Sequence, residues 1–381
     1  MLPLYLMTAL LHQPPAVEPG FTSLCADAEL SAWRLPKPGA WECTDGVIRR
    51  VTGGTLFTRH IYEDFTLRLD FKIGKGGNSG VFVRAPLSGR HSALGMEVQI
   101  AGDFGKPPSS QSTGALYAAK ASAVAANNAD GEWNALEVAL LGRHMKVTLN
   151  EQVIHDFDLD DPAVNEGLAP GIRLSDRCPR GFIGLQDHGS PVEFRNVRIR
   201  EEPEAGFEPL FDGTLNGWTA DREGAFGAQD GILVCSAPAD GPATLKHSRT
   251  LADCEIRLEY RVEPGAQALL LPRTAANPRN APLEIVMGDD TGKAPGREAS
   301  GALLGQASTM MPASLPAGEW NDLRVILRGW TVRVYLNSMP VLNVPSANLW
   351  GKYMYTPLKG VPAIAARKGK VEVRDLRVRP L

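Results

Sequence analysis

Apolar and polar residues alternate with a period of two over many short stretches of this chain, and Gly or Pro bounds most of them. Residues 64–73 (DFTLRLDFKI) are one example, with apolar side chains at every second position. Such alternation is typical of β-strands that bury one face. No stretch combines a helical period with capping residues. The pattern therefore predicts an all-β protein of short antiparallel strands.

Two neighbouring strands carry an unusual polar face. They are residues 76–86 (GGNSGVFVRAP) and residues 95–100 (GMEVQI), and in both the alternation separates aliphatic side chains from polar ones. The residues predicted on the polar face are Asn78, Gly80, Phe82, Arg84, Glu97 and Gln99. This mixture of amide, cation and carboxylate side chains is a candidate binding or catalytic surface.

Two further stretches are predicted to join this surface. On a strand formed by residues 181–189 (GFIGLQDHG), Gln186 and His188 would share a face. Residues 102–117 (GDFGKPPSSQSTGALY) form a Gly-, Pro- and Ser-rich loop that is long for a hairpin connection. We expect this loop, which ends at Tyr117, to act as a lid.

The chain contains the same unit twice. Residues 131–140 (GEWNALEVAL) return as GEWNDLRVIL at 318–327, an offset of 187. Residues 64–73 return as DCEIRLEYRV at 253–262, an offset of 189. Because the offsets drift so little, the two copies are expected to share one fold.

The repeat defines the predicted domains. A charged linker at residues 201–206 (EEPEAG) separates the copies. We predict a tail at residues 1–20, a first domain at 21–202 and a second at 203–381. A unit of this size with many antiparallel strands predicts a two-sheet jelly-roll sandwich.

Comparison of the two copies separates scaffold residues from candidate functional residues. Arg84 and Glu97 recur as Arg273 and Glu284, so an ion pair within the scaffold is one interpretation of them. The polar residues that the second copy lacks are Asn78, Gln99, Tyr117, Gln186 and His188. Because a residue needed for the fold should persist in both copies, the first copy is the candidate active unit.

Composition narrows the class of protein. The formal charge is −3 and no basic stripe occurs, which argues against a nucleic-acid partner. The five cysteines form no CxxC pair, so a zinc ribbon is not expected. Cys25 and Cys43 are either a disulfide or two small buried residues.

The chain begins with a short apolar run at residues 2–11 (LPLYLMTALL). This run is too short to span a bilayer, so no membrane insertion is expected. Its length matches the apolar region of a signal peptide, although no Lys or Arg precedes it. We therefore predict an extracytoplasmic protein, either periplasmic or secreted.

The first copy resembles the 3-keto-disaccharide hydrolase family. The resemblance rests on GGNSGVFVR, GMEVQI, TGALY, GEWN and IGLQDHG in this order. The second copy is more faintly similar, because it departs from the NSG, EVQ, TGALY and LQDHG segments. The resemblance implies two tandem concanavalin A-like jelly rolls, the second degenerate, and action on sugars oxidised at C3.

The resemblance also implies a mechanism. A ketone at C3 acidifies the C2 hydrogen, so a base removes it, the C1 substituent leaves, and hydration completes a formal hydrolysis. Glu97 or His188 is the implied base. Either hydrogen-bond donors or a divalent metal ion would stabilise the enolate oxygen. The side chains expected to bind substrate are Asn78, Arg84, Gln99, Tyr117 and Gln186.

Two alternatives stay open. A non-catalytic carbohydrate-binding jelly roll would bind unmodified glycans without turnover, and its ligand, like the substrate above, would be an oligosaccharide or glycoside. An ordinary glycosidase needs two carboxylates across the scissile bond. Glu97 and Asp187 are available, but the alternation places Asp187 on the opposite face.

Overall fold

The structure, a computed structural model, describes residues 18–274, 282–345 and 357–381. The predicted signal segment at residues 2–11 lies outside these ranges. The chain divides into two units, residues 1–203 and residues 204–381. Within the described ranges, no helix is long and apolar enough to cross a bilayer.

The first unit consists almost wholly of strands, with only short helical turns between them. Its strands are β1 (Thr22–Ser23), β2 (Trp33–Arg34), β3 (Trp41–Thr44), β4 (Val47–Arg50), β5 (Leu56–Thr58), β6 (Phe65–Ile73), β7 (Asn78–Ala85), β8 (Met96–Ala101), β9 (Trp133–Leu141), β10 (His144–Leu149), β11 (Gln152–Asp158), β12 (Phe182–Leu185) and β13 (Val192–Glu201). Its helices are α1 (His91–Leu94) and α2 (Pro162–Asn165), with a 3₁₀ turn at Leu174–Asp176.

These strands form two antiparallel sheets. The larger sheet has the order β11-β10-β9-β6-β13-β4-β3, with β1 paired to β13. The smaller sheet has the order β2-β5-β12-β7-β8. The chain passes between the sheets repeatedly, for example from β6 to β7 and from β8 to β9, as in a jelly roll. The smaller sheet contains the two strands on which the sequence placed the polar face.

The second unit repeats this architecture strand for strand. Its strands are β14 (Glu208–Pro209), β15 (Trp218–Ala220), β16 (Phe226–Gln229), β17 (Ile232–Ser236), β18 (Ala243–His247), β19 (Cys254–Val262), β20 (Gln267–Thr274), β21 (Ile285–Gly288), β22 (Asn321–Arg328), β23 (Thr331–Leu336), β24 (Met339–Pro345), β25 (Val361–Lys368) and β26 (Lys370–Pro380). The sheet orders are β16-β17-β26-β19-β22-β23-β24, with β14 on β26, and β15-β18-β25-β20-β21. The prediction of an all-β chain with two tandem concanavalin A-like jelly rolls is confirmed.

The alternation in the sequence explains the core. In β6, Leu67, Leu69 and Phe71 are buried between the sheets, while the charged residues between them lie on the outer face. Burial of each such side chain contributes about 1.5–3 kcal/mol. The described cysteines, Cys25 and Cys43 among them, are free thiols.

Candidate functional site

The candidate site lies on the face of the smaller sheet that points away from the core. Phe82 of β7 lies opposite Glu97 of β8 and also opposite Gly184 of β12. Gly80 lies opposite Gln99, and the Gly80 carbonyl accepts a hydrogen bond from the backbone of Gln186. Because cross-strand partners share a face, the register brings together the predicted side chains of Glu97, Gln99 and Gln186.

The carboxylate of Glu97 is the centre of this group. Its side chain is buried, at 3% exposure. Nε2 of Gln186 donates to Glu97 Oε1 at 2.9 Å. In the amide orientation that satisfies both ends of Gln99, its nitrogen donates to Glu97 Oε1 at 3.0 Å and to the Ser79 carbonyl at 3.2 Å. Two amide donors on Oε1 therefore fix the carboxylate.

Burial changes the proton affinity of Glu97. Desolvation raises its pKa to about 7, against the opposing effects of the Gln186 hydrogen bond and the nearby charge of Arg90. A carboxyl with a pKa near neutrality exists in both protonation states at physiological pH. This is the property required of a general base or acid.

Asn78 lies beside Gln99, and Tyr117 lies beside Glu97. The side-chain amides of Asn78 and Gln99 lie 3.2 Å apart. The backbone of Tyr117 donates to the Glu97 carbonyl at 3.0 Å, which makes it the cross-strand neighbour of Glu97.

The end of the predicted lid loop is anchored to the site sheet. We call residues 114–117 the strap: Gly114 donates to the Gln99 carbonyl, and Gln99 donates to that of Ala115. The strap thus extends the sheet beyond β8. Earlier in the loop, the Asp103 carboxylate accepts hydrogen bonds from the backbone and hydroxyl of Thr113. These contacts fix both parts of the loop.

The structure corrects the prediction for Arg84. One extra residue in β7 relative to β12 forms a bulge, and Arg84 adopts a left-handed backbone with φ of 49°. Its fully buried guanidinium donates to the carbonyls of Glu63 and Gly142 and to Asp64 Oδ1. Arg84 therefore neither joins the polar face nor pairs with Glu97, and its contacts are those of a scaffold residue.

His188 also departs from its predicted position. Strand β12 ends at Leu185, so the alternation that would align His188 with Gln186 does not continue. His188 is exposed, and among the described residues no hydrogen bond or ion pair joins it to Glu97. The intervening Asp187 pairs with Arg50 and accepts from the Gly54 backbone.

Sequence analysis missed the connection between β7 and β8. His91 of α1 packs its ring 5.0 Å from Phe57 and 5.3 Å from Phe82, measured between ring centroids. Arg90, just before it, is exposed and close enough to lower the pKa of Glu97. The signal was the adjacent pair Arg90 and His91 between the two site strands. Together these residues give the face an aromatic half beside its polar half.

The predicted metal has no evident ligand set. Across the described residues, no group of three or more His, Cys, Asp or Glu side chains is placed to hold a metal ion. Glu97 offers one carboxylate, and its Oε1 already accepts amide hydrogen bonds. This donor set does not fit a protein-held divalent ion, and the metal requirement stays a prediction.

The second unit does not repeat this polar face. Apolar side chains occupy the corresponding sheet face, and these are Leu269, Leu271, Val286, Ala363 and Ala365. Leu269 replaces Gly80 and Val286 replaces Gln99. The amide donors that fix Glu97 in the first unit are thus absent at the matching positions.

Comparisons with known proteins agree with the duplicated architecture. The profile of a family described as "3-keto-alpha-glucoside-1,2-lyase-like domain" matches residues 20–200 and 206–379. A protein of Bacteroides thetaiotaomicron named 3-keto-disaccharide hydrolase is 24% identical over 234 residues, which cover 49% of this chain and 80% of that protein.

Solved structures match about half of the chain. One from Parabacteroides distasonis, named "putative glycosyl hydrolase", is 30% identical with a TM-score of 0.43, and the match covers 48% of this chain and 99% of that one. A second structure from the same organism, with the same name, is 25% identical with a TM-score of 0.44, covering 48% and 95%.

Proposed function

This chain belongs to the 3-keto-alpha-glucoside-1,2-lyase-like domain family, and we propose that its first unit cleaves glycosides that carry a ketone at C3 of the sugar. Membership confirms the resemblance inferred from the motifs. The family and the name of the Bacteroides relative support a carbohydrate-active, hydrolase-like enzyme. The observation that carries the proposal is the buried Glu97 carboxylate, held by two amides.

The proposed reaction begins with removal of the C2 proton. The C3 ketone accepts the C–H electron pair as an enolate, which makes this proton acidic enough for a carboxylate base. Collapse of the enolate expels the C1 oxygen of the aglycone, which takes up a proton, and leaves a C1–C2 double bond. Addition of water across this bond returns hydroxyl to C1 and hydrogen to C2, so the net reaction is hydrolysis.

We assign proton abstraction to Glu97. Its Oε1 accepts from Gln186 and Gln99, so these amides orient the carboxylate while Oε2 is the oxygen left for substrate. Burial raises its pKa to about 7, which makes it a stronger base than an ordinary carboxylate. His188, the alternative base, is exposed, and we assign it no proton transfer.

Stabilisation of the enolate oxygen requires a donor or a cation. Arg84 is committed to scaffold carbonyls and Asp64, so we assign this role to Arg90. Arg90 is exposed and its charge acts on Glu97, which supports a position beside the reacting atoms. Asn78, beside Gln99, and Tyr117, beside Glu97, are proposed to bind sugar hydroxyl groups.

An ordinary two-carboxylate glycosidase is less well supported. With Glu97 as its acid, the second carboxylate must be free to contact the anomeric carbon or a water molecule there. Despite the opposing effect of burial, the pKa of Asp187 is lowered by hydrogen bonds from Gly189, Gly54 and Arg50 and by the charge of Arg50. Asp187 therefore stays ionised and engaged with these donors.

The non-catalytic alternative is supported for the second unit, but not for the first. Its matching sheet face is apolar, and the residues that orient Glu97 have no equivalents there. We propose that it serves as a binding or structural partner of the catalytic unit.

Product analysis tests the proposal. The intact chain is incubated with a 3-keto-glucoside and with the same glucoside unoxidised, with and without a chelator. We expect aglycone release from the 3-keto substrate alone. Release from the unoxidised glucoside would indicate an ordinary glycosidase, and binding without release from either would indicate a carbohydrate-binding protein. If the chelator abolishes aglycone release, the reaction requires a metal ion.

A further inference from the structure

The second unit carries a groove on the outer face of its larger sheet. The groove encloses about 330 Å³. Its polar wall consists of Glu255, Arg324, Arg328, Thr331, Arg333 and Arg379. It lies on the sheet opposite the one that corresponds to the candidate site, so it is a separate surface.

Strand register assembles this wall. Glu255 of β19, Ile326 of β22 and Arg333 of β23 form one row across three adjacent strands. Alternation turns Val325 and Leu327 into the core, so Arg324 and Arg328 point outward beside this row. The arginines therefore come from a rigid sheet, which holds them at fixed spacing.

A buried carboxylate orients two of the four arginines. Glu255 is 1% exposed and accepts from Arg324 Nε at 2.6 Å and from Arg379 Nη2 at 2.7 Å. Burial alone would raise the pKa of Glu255, but the hydrogen bonds and charges of the surrounding arginines lower it to about 2. Glu255 thus stays ionised and keeps the two guanidinium groups in place.

The other two arginines bring a surplus of positive charge. Arg328 and Arg333 are exposed, and no hydrogen bond or ion pair joins the side chain of either one to another described residue. The groove therefore presents four guanidinium groups against one side-chain carboxylate. Guanidinium groups are suited to carboxylate, sulfate and phosphate because their planar donors bind two oxygens at once.

The groove is not a general property of this fold. In the first unit, Glu137 stands in place of Arg324 and Leu141 in place of Arg328. Glu137 there forms an ion pair with Arg68, so the matching surface has no comparable surplus of charge. The set of four arginines therefore occurs in the second unit alone. This is the unit whose smaller sheet lacks the candidate catalytic residues.

We propose that this groove is a binding site for an acidic carbohydrate, held through a uronate carboxylate or a sulfate ester. Its volume lies at the lower end of the range typical of small-ligand sites, about 300–1,000 Å³, which suits one or two sugar rings. The choice of a sugar as carrier of the anion rests on the proposed function of the first unit. A site of this kind would hold the enzyme on a charged glycan while the first unit acts.

Calorimetric titration of the intact chain tests this proposal. The probes are an oligogalacturonate, a heparin-derived oligosaccharide, a neutral cello-oligosaccharide and a single-stranded DNA of similar charge. We expect one of the two acidic oligosaccharides to bind, and which one binds separates uronate from sulfate ester. The double variant Arg328→Gln/Arg333→Gln should weaken that binding at least tenfold.

Arg297→Gln provides the matched control, because Arg297 is an exposed arginine of the same unit outside the groove. It should leave affinity unchanged. The proposal is overturned if neither acidic oligosaccharide binds, if the double variant binds as tightly as the parent, or if DNA binds equally well. Turnover of a 3-keto-glucoside is measured on the same samples, so failure of the groove and failure of the catalytic assignment are distinguished.

Discussion

A Cβ atom built on Gly80 would lie 2.7 Å from Oε1 of Glu97 and 3.0 Å from its Cγ. The absence of a side chain at this position therefore leaves the space in which the carboxylate lies. In the second unit Leu269 fills the same place. At the scale of single residues, Gly80 is as necessary to the site as the amides that contact Glu97.

Gly80→Ala should therefore reduce activity without unfolding the protein. The new methyl group meets the flexible end of Glu97, so the carboxylate moves while the strand keeps its register. We expect kcat to fall by about 10²-fold, in line with displacement of a general base. Gly74→Ala is the control, since nothing lies within 4 Å of a Cβ there. Equal activity in both variants would show that the carboxylate position does not matter.

The pKa of Glu97 sets the expected pH dependence. A base acts in its deprotonated form, so kcat/KM should rise with pH through about 7 and level off above it. Kinetics of the parent enzyme between pH 5 and pH 9 measure this profile. A profile that is flat across neutrality, or that falls as pH rises through 7, would contradict the assignment.

Arg84 is expected to stabilise the fold and to have no direct part in catalysis. Replacement of this fully buried side chain by Gln leaves the carbonyls of Glu63 and Gly142 and the Asp64 carboxylate without their donor, which should cost about 3 kcal/mol of unfolding free energy. Denaturant unfolding measures the loss. Activity per folded molecule should stay near that of the parent, because Arg84 does not face Glu97. A large loss of kcat at unchanged stability would show that Arg84 takes part in the reaction.

At the scale of elements, the strap at residues 114–117 links the site to the larger sheet. His155 of β11 is 3% exposed and its Nε2 lies 2.8 Å from the Gly114 carbonyl. Because a carbonyl only accepts, Nε2 carries the proton. The second unit builds the same strap with Leu342 at the matching position. The strap can therefore form without a histidine.

His155 makes stability depend on pH. Burial lowers its pKa to about 4, so as pH falls below 6.5 the unfolded chain binds a proton before the folded chain does. Stability is present above pH 6.5 and is lost progressively down to pH 4, by about 3 kcal/mol. Glu97, whose pKa is raised, has the opposite sign over much of this window.

Comparison with His155→Leu isolates this contribution. Unfolding free energies of the parent and the variant are measured at several pH values from 4 to 8. Because both proteins contain Glu97, its contribution cancels in the difference between them. We expect the variant to lack the loss of unfolding free energy that His155 causes between pH 6.5 and pH 4. If both proteins lose stability in parallel, the contribution assigned to His155 is wrong.

The elements also show where sequence reasoning succeeds and where it stops. Alternation correctly placed Glu97 and Gln99 on one face, because β8 is regular over its whole length. It failed for Arg84, since a bulge inserts one residue and changes the direction of every later side chain in β7. It failed for His188 because β12 stops at Leu185. Neither event has a local signature in a single sequence.

At the scale of the whole molecule, duplication made the fold predictable. Two copies of one alternating pattern predict one architecture twice, and the strand orders of the two units match throughout. The same comparison separates Asn78 and Gln99, which the second copy lacks, from Arg84, which recurs as Arg273 with equivalent contacts to Asp253. Glu97 recurs as Glu284, but the surroundings of the two carboxylates differ. Val286 and Ala365 stand in the second unit where the first has Gln99 and Gln186.

The most direct test compares these two carboxylates in the intact chain. Turnover of a 3-keto-glucoside is measured for Glu97→Gln and for Glu284→Gln, each checked for folding by thermal unfolding. We predict that Glu97→Gln lowers kcat by about 10³-fold or more, the effect of removing a positioned base, while Glu284→Gln stays at the level of the parent. A folded Glu97→Gln variant with parental turnover would show that Glu97 is not the base.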